Sequence, residues 1–295
     1  MKKSKVLIFG GAGLVGSKFI ELNKKDFQIK APDILETDIL SKSDLKKVFE
    51  DFMPDVVINF AAFTNVEEAE KEVGQKHGLC YLINAIGAKN VAEFCKKFSS
   101  FLIYISTEYV FDGTKNNAYD EEDEPNPINW YGKTKYFGEQ FVLKNKYFSC
   151  IARISMPFSA KYALKKDVAR FFLEQLKNKK EINAIKDQQI TPTLVDDIAK
   201  ALGLIAKIKP TGIFHVCTKT STTPYKFAKL LVNTFNLDIT LIKPISFKSY
   251  NAGKSAKLLK NSWLDSNKFI KTFGDGVLHS IKEELVLFKA QLIEI

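Results

Sequence analysis

Lys5–Gly16 reads KVLIFGGAGLVG: a short apolar run closes on glycine, glycines recur at positions 10, 13 and 16, and helical spacing of apolar residues begins at Leu14. A strand that ends in glycines and turns at once into a helix is the context a dinucleotide fingerprint requires. Glycine permits the tight turn, lets backbone N–H groups approach a pyrophosphate, and brings up the positive end of the following helix. Gly10, Gly13, Leu14, Val15 and Gly16 are therefore candidate cofactor contacts. A glycine triplet alone also suits a strand–helix turn without ligand, so the rest of the chain must decide.

Outward from this turn, buried-strand runs recur at DVVINFAA (Asp55–Ala62), FLIYIST (Phe101–Thr107) and CIARIS (Cys150–Ser155). Helical patterns separate them at Lys42–Phe52, Leu79–Phe98 and Tyr131–Lys144. Alternating strands and helices predict an α/β fold: a Rossmann-type, doubly wound parallel sheet with helices on both faces, over residues 1–155. Beyond that the alternation loosens. Helical patterns at Val168–Lys177 and Thr223–Phe235 predict a smaller C-terminal substrate-binding lobe covering most of 156–295, with about 191–217 returning to the first domain.

The 295 residues carry a formal charge of +10, yet nucleic acid is not the expected partner. Of 44 basic residues only Arg153 and Arg170 are arginine, and the lysines are spread along the chain, whereas base readout favours the guanidinium fork. Cys80, Cys95, Cys150 and Cys217 stand singly, without the close pairs of a zinc site or a disulfide framework, and no metal ligand is assigned. No stretch approaches the roughly 18 apolar residues of a membrane span. A cytoplasmic protein is expected, without a membrane partner.

Ligands in such sheets bind beyond the carboxyl ends of the strands, so chemistry is sought there. Asp38, with Ile39 beside it in ETDIL, is a candidate contact for the adenine or ribose end. Ala61 and Ala62, small residues closing the DVVINFAA run, would let backbone lie against a ribose, though close helix–strand packing explains them equally well. Ser106, Thr107 and Glu108 follow another strand, where a hydroxyl can donate to a reacting carbonyl. Tyr131 and Lys135 then share one face of the next helix, and an ammonium beside a phenol draws its pKa down toward the working pH. The chain holds three more pairs at this spacing, Tyr162/Lys166, Tyr225/Lys229 and Tyr250/Lys254, which follow no strand-end hydroxyl and read as coincidences of surface or core.

Taken in order, GGAGLVG, PDVVINFAAFTNVEEAE, INAIGAKNVAEFC, STEYVFDG, YDEEDEPNPINWYGKTKYFGE, DQQITPTLVDDIAKAL and GIFHVCTKTSTTPYKFAKLL resemble the extended short-chain dehydrogenases/reductases, and within them the dTDP-4-dehydrorhamnose reductase (RmlD-like) family. The resemblance implies NADPH or NADH as hydride donor and a nucleotide-diphosphate 4-keto sugar as substrate, in surface-polysaccharide synthesis, with a homodimer left open. It makes Thr107 the carbonyl-orienting hydroxyl, Tyr131 the proton donor, and Lys135 the residue that holds the nicotinamide ribose and lowers the tyrosine pKa. Asn84 falls near the active site. The chain departs from the family at Glu108, where aspartate is usual, at Met156, where a tryptophan lines the sugar pocket, and around Lys257, where a cation and a proline are lost from the diphosphate clamp. Two alternatives resemble the same family: a non-catalytic, dinucleotide-binding subunit like the beta subunit of methionine adenosyltransferase, and a sugar-nucleotide epimerase or dehydrogenase.

Overall fold

A computed structural model describes residues 3–145, 148–162, 164 and 166–293. From the first strand the chain runs β1 (Lys5–Phe9), α1 (Leu14–Asn23), β2 (Gln28–Lys30), α2 (Lys42–Phe52), β3 (Val56–Asn59) and α3 (Val66–Glu70). Helix α4 (Leu79–Tyr81) passes through a π-helical turn, Leu82–Gly87, into α5 (Ala88–Lys97); then come β4 (Phe101–Thr107), α6 (Trp130–Leu143) and β5 (Ser149–Ile154). The second half contains β6 (Pro157–Phe158), α7 (Val168–Lys177), β7 (Ile182–Ile185), β8 (Thr193–Leu194), α8 (Val195–Ile208), β9 (Gly212–Val216), α9 (Pro224–Phe235) and β10 (Ile242–Ile245). Helices α10 (Phe247–Asn251), α11 (Asn267–Phe273) and α12 (Ile281–Ile293) follow.

Six strands form one parallel sheet in the order β2-β1-β3-β4-β5-β9, the doubly wound arrangement expected from the alternation of runs. Both faces are covered, which is why the strand sequences read as continuous apolar runs rather than alternating ones. Val6 and Ile8 face α1, α8 and α11, while Leu7 and Phe9 face α2, α5 and α6, as a period of two requires. Strand β9 and helix α8 thus belong to this layer although they follow β6, α7 and β7 in sequence. Away from it, α7, α9 and α12 enclose a separate core of Phe158, Phe172, Leu173, Phe227, Leu231 and Phe288 beside the two-stranded pairing of β7 with β10.

Successive strands are added on opposite sides of β1, so the order reverses between β1 and β3, and a crevice opens beyond their carboxyl ends. Helix α6 is tied to β5 by a buried bidentate pair, Arg153 Nε and Nη2 to the two oxygens of Glu139 at 2.9 and 2.8 Å. Removing one member of such a pair costs about 3–5 kcal/mol, so α6 is held firmly against the sheet.

Candidate active site

The glycine turn lines one wall of the crevice. Gly10 has φ +76°, and a Cβ there would lie 2.6 Å from the Ala61 nitrogen at the end of β3; one on Gly16 would lie 2.5 Å from the Gly10 carbonyl. Both glycines are demanded by the fold itself. At Gly13 only the Gly10 carbonyl, 3.2 Å away, would meet a Cβ, so this glycine leaves open space before α1, whose first turn has no side-chain cap. Leu14 and Val15 begin that helix.

Asp38 is half-buried, its carboxylate accepting from the Leu40 N–H at 2.9 Å, and Ile39 beneath it is buried against Gly87. The carbonyl of Ile39 accepts from Asn90 Nδ2 at 3.1 Å, which pins this segment to α5. Ala61 donates its N–H to Asn59 Oδ1 at 3.1 Å, and Ala61 and Ala62 both stay half-buried at the mouth of β3.

Thr107 ends β4, and Tyr131 reaches it from the first turn of α6. Asn129 caps that helix by accepting from the Gly132 N–H at 2.9 Å, and its Nδ2 donates to the Lys257 carbonyl at 2.9 Å. Gly132 is required here because any Cβ would run into the Tyr109 carbonyl. Tyr131 therefore sits buried, edge-on to Tyr109 with ring centroids 5.5 Å apart.

Lys135 is buried one turn further along. Its Nζ donates to the Ile105 carbonyl at 2.6 Å and lies 4.1 Å above the Tyr104 ring. Burial pulls the ammonium down to about 7, against the attraction of Glu139. Tyr131 differs from the sequence expectation: its phenol is pushed above the usual range, first by burial and then by the Glu108 charge, with the neighbouring Thr107 hydroxyl acting the other way. Desolvation in this packed corner outweighs any lowering by the lysine, which is turned toward β4.

Glu108 is buried with its carboxyl turned back on Thr107, whose Oγ1 donates to Oε2 at 2.7 Å. Asn84 stands behind the site. Its side chain is wholly buried, accepting from the Phe63 N–H at 2.9 Å and donating to the Phe63 carbonyl and Thr134 Oγ1 at 3.1 and 3.0 Å. It joins the loop after β3 to α6 and has nothing left for a substrate. Met156, half-buried just past β5, has φ +38°, and its carbonyl accepts from the Thr193 N–H at 3.3 Å. Lys257 is exposed and is brought to the start of α6 by its backbone.

One contact has no counterpart in the sequence reading. The Tyr162 hydroxyl donates to the Ala12 carbonyl inside the glycine turn at 3.2 Å, across 150 residues of chain. No local pattern signals it, since Tyr162 lies in the connection between β6 and α7. Among the described residues no group of three His, Cys, Asp or Glu side chains is placed to hold a metal, and no helix is long and apolar enough to cross a membrane.

Residues 4–292 match the family described as the RmlD substrate binding domain. The chain belongs to the RmlD family. Among its RmlD-like relatives, the dTDP-4-dehydrorhamnose reductase of Aggregatibacter actinomycetemcomitans is 31% identical over 284 residues, covering 92% of this chain and 94% of that protein. Methionine adenosyltransferase 2 subunit beta of Bos taurus is 30% identical, over 92% of this chain and 83% of its own length. A crystal structure of dTDP-4-dehydrorhamnose reductase from Bacillus anthracis in complex with NADP superposes with a TM-score of 0.89 at 33% identity, covering 98% of this chain and 99% of that one.

Proposed function

We propose that this RmlD-family chain is an NADPH- or NADH-dependent reductase of a nucleotide-linked 4-keto-deoxysugar, in the synthesis of surface polysaccharide. The observation that carries the reading is the meeting of Thr107 and Tyr131 in one buried corner, with Lys135 behind them on the same helix and the glycine turn on the neighbouring strands. The similarity to a reductase solved with NADP supports it.

The residues fit a dinucleotide: Gly10 brings the ends of β1 and β3 together, and Gly13 keeps the space before α1 free of side chains. When bound, the nicotinamide supplies hydride for the keto carbon. Tyr131, a phenol that burial keeps protonated at neutral pH, is the proton donor to the carbonyl oxygen. Thr107 orients that oxygen, and Lys135 holds the ribose. The sugar nucleotide would rest on the C-terminal lobe, with Met156 beside the sugar and Lys257 toward the diphosphate.

Nicotinamide oxidation with a panel of nucleotide-linked 4-keto sugars tests the reading, and turnover with none of them overturns it. Gly13→Val should weaken NADPH binding in calorimetric titration at least about ten-fold while the protein stays folded, because the side chain fills the phosphate approach. Unchanged affinity would remove the glycine turn from the site. The similarity to methionine adenosyltransferase 2 subunit beta favours one second reading, a dinucleotide-binding subunit that acts through a partner. Tight dinucleotide binding without turnover would favour it.

A further inference from the structure

Glu108 follows Thr107 directly and is one methylene longer than the aspartate usual at this place. The residue is 4% exposed and its carboxyl accepts from the Thr107 hydroxyl at 2.7 Å, while Thr107 Oγ1 itself accepts from the Tyr109 N–H at 3.3 Å. Beyond β5, the buried Ser155 hydroxyl and the Met156 N–H face the same carboxyl, and Ser155 has no partner elsewhere. The titratable groups that face it are Tyr131 from α6 and Tyr109 from its own turn, and Lys135 on α6 is turned toward the Ile105 carbonyl.

A hydroxyl has one proton and two lone pairs. An ionised Glu108 can only accept, so it takes the single Thr107 proton and leaves none for a ligand. A protonated Glu108 reverses the bond: it donates to Thr107, which already accepts from Tyr109, and the Thr107 proton is then free to turn toward the oxygens in the site, that of the neighbouring Tyr131 among them. We infer that Glu108 is a positioning residue that sets the direction of the Thr107 hydrogen bond, so that Thr107 donates to the reacting carbonyl only while Glu108 carries a proton. This rests on the reductase reading, in which Thr107 orients the carbonyl. The Glu108 proton exchanges with solvent and is neither consumed nor released in the reaction. Burial raises the carboxyl to about 7 in spite of the Thr107 bond, so both directions are populated near neutral pH.

With a carboxyl titrating at about 7, the protonated fraction falls about 25-fold between about pH 6.5 and 8.5, and kcat/KM should fall with it. Glu108→Gln, whose amide cannot ionise and can donate to Thr107, should lose the part of that fall carried by Glu108 and keep only the part due to Lys135, which titrates in the same range. Superimposable pH profiles for the two proteins would overturn the inference. Infrared titration of the protein without substrate gives a second readout: one protonated-carboxyl band should vanish through neutral pH, be absent in Glu108→Gln, and shift its midpoint to higher pH in Thr107→Val, which removes the hydrogen bond favouring the ionised form. If Glu108→Gln does not fold, the Thr107→Val shift decides. Absence of turnover with every sugar would sink the reductase reading, whereas absence of a band that responds to Thr107→Val would sink this inference.

Discussion

Tyr131/Lys135 and Tyr250/Lys254 have the same spacing and opposite surroundings. At the second pair, Lys254 lies 4.4 Å over the ring of its own tyrosine, and Tyr250 is 41% exposed; Tyr225/Lys229 on α9 repeats the arrangement at 5.4 Å. These are cation–π contacts of modest worth, the one at Tyr250 exposed and the one at Tyr225 half-buried on the second core. At the first pair both side chains are buried, the lysine passes over a different ring, Tyr104, and the tyrosine is left facing Thr107 and Glu108. A four-residue spacing puts two groups on one helix face. Whether they then serve chemistry depends on what covers that face and draws the ammonium elsewhere.

The sharpest way to break this contrast is Tyr131→Phe, which removes the transferable proton with little change of volume. Turnover should drop by about two to four orders of magnitude, the range for loss of a general acid, while Tyr225→Phe and Tyr250→Phe stay within a few-fold. Comparable losses at either of those pairs would mean that their surroundings do not distinguish them. Steady-state kinetics on the same substrate panel make the comparison.

The two settings also differ in their glycines. Gly132 is closed in by the Tyr109 carbonyl, whereas nothing lies within 4 Å of a Cβ placed on Gly253 beside the Tyr250 pair. Gly132→Ala should force α6 away from the end of β4, lowering stability by about 1–3 kcal/mol in denaturant titration and turnover with it. Gly253→Asn, a residue that tolerates the φ of +78° found there, should change stability by less than about 1 kcal/mol. Equal effects would show that the glycine in the first turn of α6 is not what lets Tyr131 approach.

Tyr162 sharpens the contrast from the other side, because it shares the spacing yet belongs to neither setting. Its hydroxyl reaches Ala12 in the glycine turn. Tyr162→Phe should weaken NADPH binding by about 1 kcal/mol, roughly five-fold, with kcat at saturation unchanged. An unaltered dissociation constant in calorimetry would return Tyr162 to the class of coincidences.

Much of the frame was legible in the sequence because its causes are local. KVLIFG followed by a glycine turn, and three further apolar runs set between helical patterns, specify buried parallel strands whatever lies at a distance. Strand β2 was not legible: three half-exposed or exposed residues, QIK, carry no run and are a strand only because β1 lies alongside. Nor was the π-helical turn at Leu82–Gly87, which turns Asn84 inward to hold Phe63 and Thr134.

The sequence by itself determined the order of the central strands and the helices between them, the glycines at which backbones must approach, and the set of side chains able to move a proton: all follow from periodicity, turn chemistry and residue type. Only the tertiary structure decided what state those groups are in. Asn84 was spent on its neighbours, Lys135 was turned to β4, Tyr131 was pushed up rather than down, and Glu108 was pressed against Thr107. The physical reason is that desolvation and hydrogen-bond direction depend on every segment that closes over a group, and here those segments come from β4, β5, α6 and the loop after β3, far apart in the chain.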